Sequence, residues 1–458
     1  MKKVSEVNKD GTRRSLTNRH VQMIAIGGTI GTGLFLGAGS TIYKTGPSVL
    51  WIYLVLGLFF FFLMRAIGEM LYSDPSQHTF VAFISRYLGD TIGSFAGWTY
   101  WLGLIFLSTA ELTAIGNYMQ YWFPNLSAWL IEVIFLFILA AINLIAVRFF
   151  GEAEFYFAII KIIAIVVLII TGIMMVSKNI RTPLGHASLN NIFSNYQFFP
   201  KGFLNFITAF PMVFFAFQGI EFVSITIGEA KSPHAIIRKA VNETLIRILL
   251  FYIGALLAIM AIIPWHALTV GKSPFVQVYQ LVGIPAAAAI INFVVLTAAV
   301  SALNSSIFSA GRHFYQLALE KPQQNWLNKY FTHISKNGVP ARAIGISAFL
   351  MLIAPLMSIL KGIGAAFTII TGASSDLYII VYILALLAHR KYRASDDFLA
   401  KGFLMPAYRI TNMATIIFFA LVFLSLFLIP ENIPGAVGAV IWIVISFSLI
   451  SINKNSNK

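Results

Sequence analysis

The chain of 458 residues is 58% hydrophobic and only 11% charged, with a mean hydropathy of +0.82. A soluble domain carries about 25% charged residues, so the composition excludes a soluble globular protein and points to a polytopic membrane protein. The net charge of +15 then reflects basic cytoplasmic loops rather than nucleic-acid binding, and the lack of cysteine excludes disulfides and thiolate metal sites.

The first twenty residues are polar, with Lys2, Lys3, Lys9, Arg13, Arg14 and Arg19. No cleavable signal peptide is evident, and residues 1–20 read as a basic cytoplasmic tail. Apolar runs long enough to cross a bilayer, about 20 residues each, recur about twelve times. They lie at 21–41, 47–70, 93–121, 127–147, 153–176, 203–228, 243–263, 284–310, 343–360, 364–388, 408–429 and 434–452. The stretch 74–90 is short and mixed in polarity, so it reads as a cytoplasmic interfacial helix. Basic residues crowd the loops on one side. The other side receives only Lys44, Lys178, Arg181, Lys201, Lys272 and Lys361. The asymmetry predicts both termini in the cytoplasm of a multi-pass protein of the cell membrane.

The first segment contains Gly27, Gly28, Gly31 and Gly33, interleaved with Thr29 and Thr32. Glycine disfavours helix. In hydrocarbon, irregular backbone persists only when buried in protein or lining a polar cavity. One reading is a broken helix whose freed N–H and C=O groups hold something small and polar. The other is close helix packing through small residues. The sixth segment, Phe214-Phe-Ala-Phe-Gln-Gly-Ile-Glu221, places Gln218, Gly219 and Glu221 inside an apolar run. Two interrupted helices five segments apart predict a transporter built from two inverted repeats of five spans. The expected organisation is a core over 21–388, divided into repeats 21–176 and 203–388. Two accessory spans over 389–452 and a tail at 453–458 follow.

An ionised side chain at helix centre costs about 2.5–3.5 kcal/mol to insert, so intramembrane charges are functional candidates. Glu111, in the third segment, is either a proton-binding or substrate-facing carboxylate, or a protonated link between helices. Lys161, in the fifth, is either an ammonium facing the broken helices or the partner of Glu154 in a permanent ion pair. Glu221 is either a protonatable switch or a cap for freed N–H groups. Glu152, Glu154, Arg65, Glu69 and Glu229 lie near cytoplasmic ends and are expected in solvated or ion-paired roles. Arg65 and Glu69 are spaced to pair at i, i+4. Ser301, Asn304, Ser305 and Ser306 either line the site or bond between helices. Phe215 and Phe217 are candidates for gating a pocket, with packing as the alternative. No nucleophile–base pair, metal-ligand spacing or phosphate loop is present. The expectation is therefore no catalytic residue, no metal and no cofactor, with an ion gradient or exchange as the driving force.

These features resemble the amino acid permeases of the amino acid–polyamine–organocation superfamily, in their bacterial amino acid transporter branch. The marks are Arg19-His-Val-Gln-Met-Ile-Ala-Ile-Gly-Gly-Thr-Ile-Gly-Thr-Gly-Leu-Phe35, Met64-Arg-Ala-Ile-Gly-Glu-Met70, Gly97-Trp-Thr-Tyr-Trp101, Gly151-Glu-Ala-Glu-Phe155, Phe215-Ala-Phe-Gln-Gly-Ile-Glu221 and Gly228-Glu-Ala-Lys-Ser-Pro233. The resemblance implies an all-α LeuT-like fold, with five-plus-five inverted repeats, broken helices one and six, and two extra C-terminal helices. It implies proton-coupled uptake by alternating access. It puts the substrate carboxylate on Gly31, Thr32 and Gly33, and the α-ammonium on carbonyls at Thr29, Phe215, Ala216 and Gln218. Phe217 and Gly219 complete the predicted substrate site. Lys161 matches a lysine that stands where sodium binds in other relatives, and Glu111 and Glu221 join it as proton-coupling candidates. The stretches Lys272-Ser-Pro-Phe275 and Pro285–Thr297 look like D-serine/D-alanine/glycine permeases. The Glu111-Leu-Thr-Ala region looks like aromatic amino acid permeases. Small neutral amino acids are the expected substrates, with aromatic or broad-range uptake, exchange and a transport-inactive sensor as alternatives. The expected partners are an amino acid and the lipid bilayer, with no nucleic acid. The expected state is a monomer or a homodimer.

Overall fold

The computed structural model describes residues 23, 26–77, 79–145, 147–194, 196–222, 224, 233–283, 285–319, 326–335 and 338–455. Among these, seven helical stretches are long and apolar enough to cross a membrane, and three further apolar helices are shorter. The first stretch, Ile26–Ser73, contains the first two expected spans. They are separated where Gly46 turns at φ +57°, a left-handed conformation that favours glycine. Helix Asp90–Met119 has 30 residues but is more polar than the seven. Phe137, Ile173, Leu250 and Ile410 point outward, each at least 63% exposed. An apolar surface of that extent is what lipid covers and water does not. The protein is a multi-pass membrane protein.

Helix Asp90–Met119 is central. It packs most extensively against Pro285–Leu319 and Ile363–Tyr392. Helix Pro233–Ile262 lies against Val147–Ser177 and Val49–Ser73. The last two helices, Tyr408–Leu426 and Ile433–Asn455, both lean on Ile363–Tyr392. The expected interfacial helix at 74–90 is Val81–Leu88, and Arg86 ties it to Asp74 and Asp397.

The helices differ in detail from the apolar runs. The ninth apolar run is one membrane-long stretch, Ala341–Lys361, built of two helices. It divides into Ala341–Leu350 and Ile353–Lys361. Pro355 has no N–H to donate to Met351, and its ring crowds that carbonyl, so the chain turns at Met351 and Leu352. The seventh and eighth helices outrun their apolar cores, as Pro233–Ile262 and Pro285–Leu319. A small hairpin, Arg181–Thr182 with Gly185–His186, interrupts the all-helical pattern.

Candidate functional site

Both glycine-marked interruptions are present, and the hydrogen bonds that leave the helices there can be followed one by one. In the first segment the helical ladder runs to Ile30, whose N–H donates to the Ile26 carbonyl at 2.9 Å. Thr32 then leaves the ladder, and its N–H donates to Glu111 Oε1 at 3.2 Å. The chain continues as one π-helical turn, Gly33–Gly37, before regular helix resumes at Ala38. The carbonyl of Gly27 accepts from Lys161 Nζ at 2.5 Å, and that of Thr29 from the Tyr252 hydroxyl at 3.1 Å. Backbone that gives up helical partners inside a membrane must find others. Here three buried side chains supply them.

The sixth segment breaks in the same manner. Helix Phe210–Phe217 ends at Gln218, which turns extended, and Gly219 follows at φ +91°. The Gly219 N–H donates to Glu221 Oε2 at 3.0 Å. The Ala216 carbonyl accepts from the Tyr252 hydroxyl at 2.7 Å. Gln218 Oε1 accepts from Ser374 Oγ at 2.8 Å. The remainder of this segment, 225–232, lies outside the described residues, as does Glu229.

The two breaks touch. A Cβ on Gly33 would lie 2.8 Å from the Cβ of Ala216 and 2.9 Å from its amide nitrogen. A Cβ on Gly28 would lie 2.6 Å from the ring of Phe222. A Cβ on Gly31 would overlap Glu111. The glycines therefore serve both readings of the sequence: they permit the break and they permit contact across it.

Around the breaks sits a buried polar group. Lys161 is fully buried in mid-helix, and Glu154 and Glu111 are the carboxylates that bear on it. It does not take Glu154 as a direct partner but reaches the Gly27 carbonyl. Glu154, expected in a cytoplasmic loop role, is instead fully buried. It accepts from Ser301 Oγ at 2.7 Å and sits 2.9 Å from where a Gly27 side chain would begin. Its register on helix Val147–Ser177 turns it inward, one helical face with Lys161. Asn304 bonds Asn143 between helices, the packing alternative for that position. The side chain of Glu152 lies outside the described residues.

At the other end of the breaks, Glu221 caps Gly219 and also accepts from Tyr382 at 2.7 Å and Tyr100 at 3.2 Å. Further along, Arg65 and Glu69 do not pair. Glu69 is buried and accepts from Arg393 Nη2 at 2.7 Å and from the Met405 N–H at 2.6 Å, with His389 Nε2 at 3.2 Å. Arg65 bonds Asn242 and the Leu404 carbonyl and stacks 3.8 Å over Phe403. The i, i+4 spacing is right, but burial favours the partner that satisfies each charge with several hydrogen bonds.

A cavity of about 410 Å³ opens at the opposite end, between Lys44, Gly271, Ile363 and Glu431. Leu36, Gly37, Met212, Thr113 and Phe367 line it. None of the predicted substrate-binding residues does; they lie about one turn deeper. Phe367 meets Phe215 edge-on, with ring centroids 6.2 Å apart. Phe217 points elsewhere, into a cluster with Phe60, Tyr53 and Tyr252. Of the two candidate gates, Phe215 alone adjoins the cavity.

Sequence reasoning missed three buried groups. Tyr252 was legible only as a tyrosine inside an apolar run, whose hydroxyl must find a partner. Glu132 and Asp376 are intramembrane acids that deserved the same weight as Glu111.

The amino acid permease family model matches residues 20–455. The chain is 48% identical to the serine permease SerP1 of Lactococcus lactis, over 96% of this chain and 97% of that protein. It is 46% identical to the DL-alanine permease SerP2 of the same organism, over 96% and 95%. It is 40% identical to the D-serine/D-alanine/glycine transporter of Escherichia coli, over 94% and 92%. A match that runs almost end to end, over a chain whose first and sixth segments break face to face, leaves one conclusion: the chain belongs to the amino acid permease family.

Proposed function

We propose that this protein takes up small neutral amino acids, alanine, serine or glycine and their D-forms, by proton-coupled alternating access. The observation that carries the reading is the meeting of two broken helices, with Thr29 and Ala216 carbonyls on one hydroxyl and the Thr32 N–H on a carboxylate. A zwitterion needs carbonyls for its ammonium and N–H groups for its carboxylate within a few ångströms. The named activities of the relatives favour small substrates over aromatic ones.

In this reading the chain spans the cell membrane twelve times, as five-plus-five repeats and two accessory helices. Both termini are cytoplasmic, and the unit is a monomer or a homodimer. The 410 Å³ cavity then faces outside. Substrate descends past Phe367 and Phe215. Its carboxylate takes the N–H groups of Gly31, Thr32 and Gly33, displacing Glu111, which takes one proton from hydronium entering through the cavity and leaves water. The ammonium shares the Thr29 and Ala216 carbonyls with Tyr252, since each carbonyl oxygen has two lone pairs. Lys161 holds the first break through Gly27 and releases it when its own charge changes. Glu221 and its tyrosines close the cytoplasmic side. No cofactor is required; the proton gradient supplies the energy.

The test is uptake into proteoliposomes under an imposed pH gradient, with unlabelled L- and D-amino acids as competitors. Accumulation that follows the gradient and yields to alanine and serine is expected. Uptake that ignores the gradient or strictly requires sodium overturns the coupling, and competition by aromatic amino acids alone overturns the substrate class.

A further inference from the structure

Asp376 lies thirteen residues into helix Ile363–Tyr392, about 20 Å along it at 1.5 Å per residue. That is close to the middle of the helix. Its side chain is fully buried, and neither carboxyl oxygen has a hydrogen-bond partner. Glu111, Glu132 and Glu154 each leave one oxygen without a partner but satisfy the other. Among the described residues, Asp376 is the buried carboxyl with both oxygens orphaned.

An ionised carboxylate is not held in such a place without a donor or a cation. The titratable groups presented to this helix are Tyr100 of Asp90–Met119 against Tyr378, Glu221 beyond Phe210–Phe217 against Tyr382, Tyr87 of Val81–Leu88 against Tyr392, and Glu69 of Val49–Ser73 and Tyr408 of Tyr408–Leu426 against His389. Glu431 precedes the last helix, whose described side chains carry no charge. None of these bonds Asp376. No group of three acids or histidines that might hold a metal occurs among the described residues. A buried carboxyl with neither a donor nor a cation beside it is held there by carrying its own proton.

The approach to Asp376 is also visible. Gly372 is four residues earlier, one turn toward the cavity and on the same helical face. Gly372 and Asn432 both line the cavity. Asn432 fills the space that a side chain on Gly372 would take: a Cβ there would lie 2.6 Å from Asn432 Cγ. The Oδ1 of Asn432 is itself buried and without a partner. The next turn is covered by the last helix, where Gly435 lies against Ala373.

We propose that Asp376 is a proton-binding site of this transporter, loaded from the cavity when Asn432 moves off Gly372, and separate from the Lys161–Glu111 group. Hydronium in the cavity gives one proton to the carboxylate and leaves water. The reverse transfer, to water on the other side, empties the site. The inference rests on the proton-coupled reading above and adds a second carrier to it.

The experiment compares wild type, Asp376→Asn and Asp376→Glu in proteoliposomes, with the voltage clamped and a one-unit pH gradient. One fewer proton per substrate lowers the accumulation ratio about tenfold at that gradient. That loss, with a flattened dependence on outside pH in Asp376→Asn and recovery in Asp376→Glu, is the expected result. Accumulation and a pH profile equal to wild type in Asp376→Asn overturn it. Wild-type uptake that ignores the gradient sinks the proton-coupled reading first, and this inference with it. If Asp376→Asn does not yield folded protein, Asn432→Leu keeps the carboxyl and seals its approach. Slowed uptake after an outside pH jump then supports the proposal, and wild-type kinetics overturn it.

Discussion

The Tyr252 hydroxyl donates to the Ala216 carbonyl at 2.7 Å, and this contact joins a seventh-segment side chain to the break in the sixth. The same oxygen is 3.1 Å from the Thr29 carbonyl in the first segment. A single phenol thus bridges the two helix ends that precede the breaks.

Tyr252→Phe removes the one hydroxyl proton that the Ala216 and Thr29 carbonyls share, at about 1–3 kcal/mol. The variant is expected to melt earlier without substrate. It should regain part of the loss with alanine present, because the ammonium replaces the missing donor. Thermal melts with and without substrate check this. An unchanged substrate-induced shift contradicts the shared-carbonyl geometry.

Gly33→Ala forces a methyl group onto the Ala216 backbone. Neither partner is a flexible side chain, so the two breaks must part, at about 1–3 kcal/mol. Uptake is expected to be abolished. Gly345→Ala is the control. Its Cβ meets open space in helix Ala341–Leu350, and it should be neutral or stabilising by up to about 1 kcal/mol. Equal uptake by both variants refutes the close contact.

Lys161→Ala strips the donor from the Gly27 carbonyl and the countercharge from Glu154 and Glu111. Loss of gradient-driven accumulation is expected. Wild-type accumulation in this variant would show the lysine to be structural.

Glu69→Ala leaves Arg393 and His389 without the carboxylate that joins them. Breaking a buried pair on one side costs about 3–5 kcal/mol. Because this clasp sits at the end opposite the cavity, its loss should favour closure of the cavity. The chain has no cysteine, so Ser40→Cys, in the cavity wall, is a clean reporter. Slower labelling of Ser40→Cys in the Glu69→Ala background is expected. Faster labelling puts the clasp on the wrong side of the cycle.

Apolar runs, basic loops and two glycine interruptions were enough to read a membrane transporter and the location of its breaks. These signals are local: a span must match the bilayer, and a weak helix former shows wherever it stands. Pairing was beyond them. Arg65 and Glu69 were spaced to meet and took other partners, since the nearest charge along a helix competes with burial against neighbours hundreds of residues away. Glu154 looked like a loop residue until the rotation of its helix turned it onto Gly27. Tyr252 and Asp376 drew no notice because one tyrosine or aspartate in an apolar run has no meaning until its surroundings are known. Tertiary packing alone decided which of these polar atoms found a partner and which was left without one.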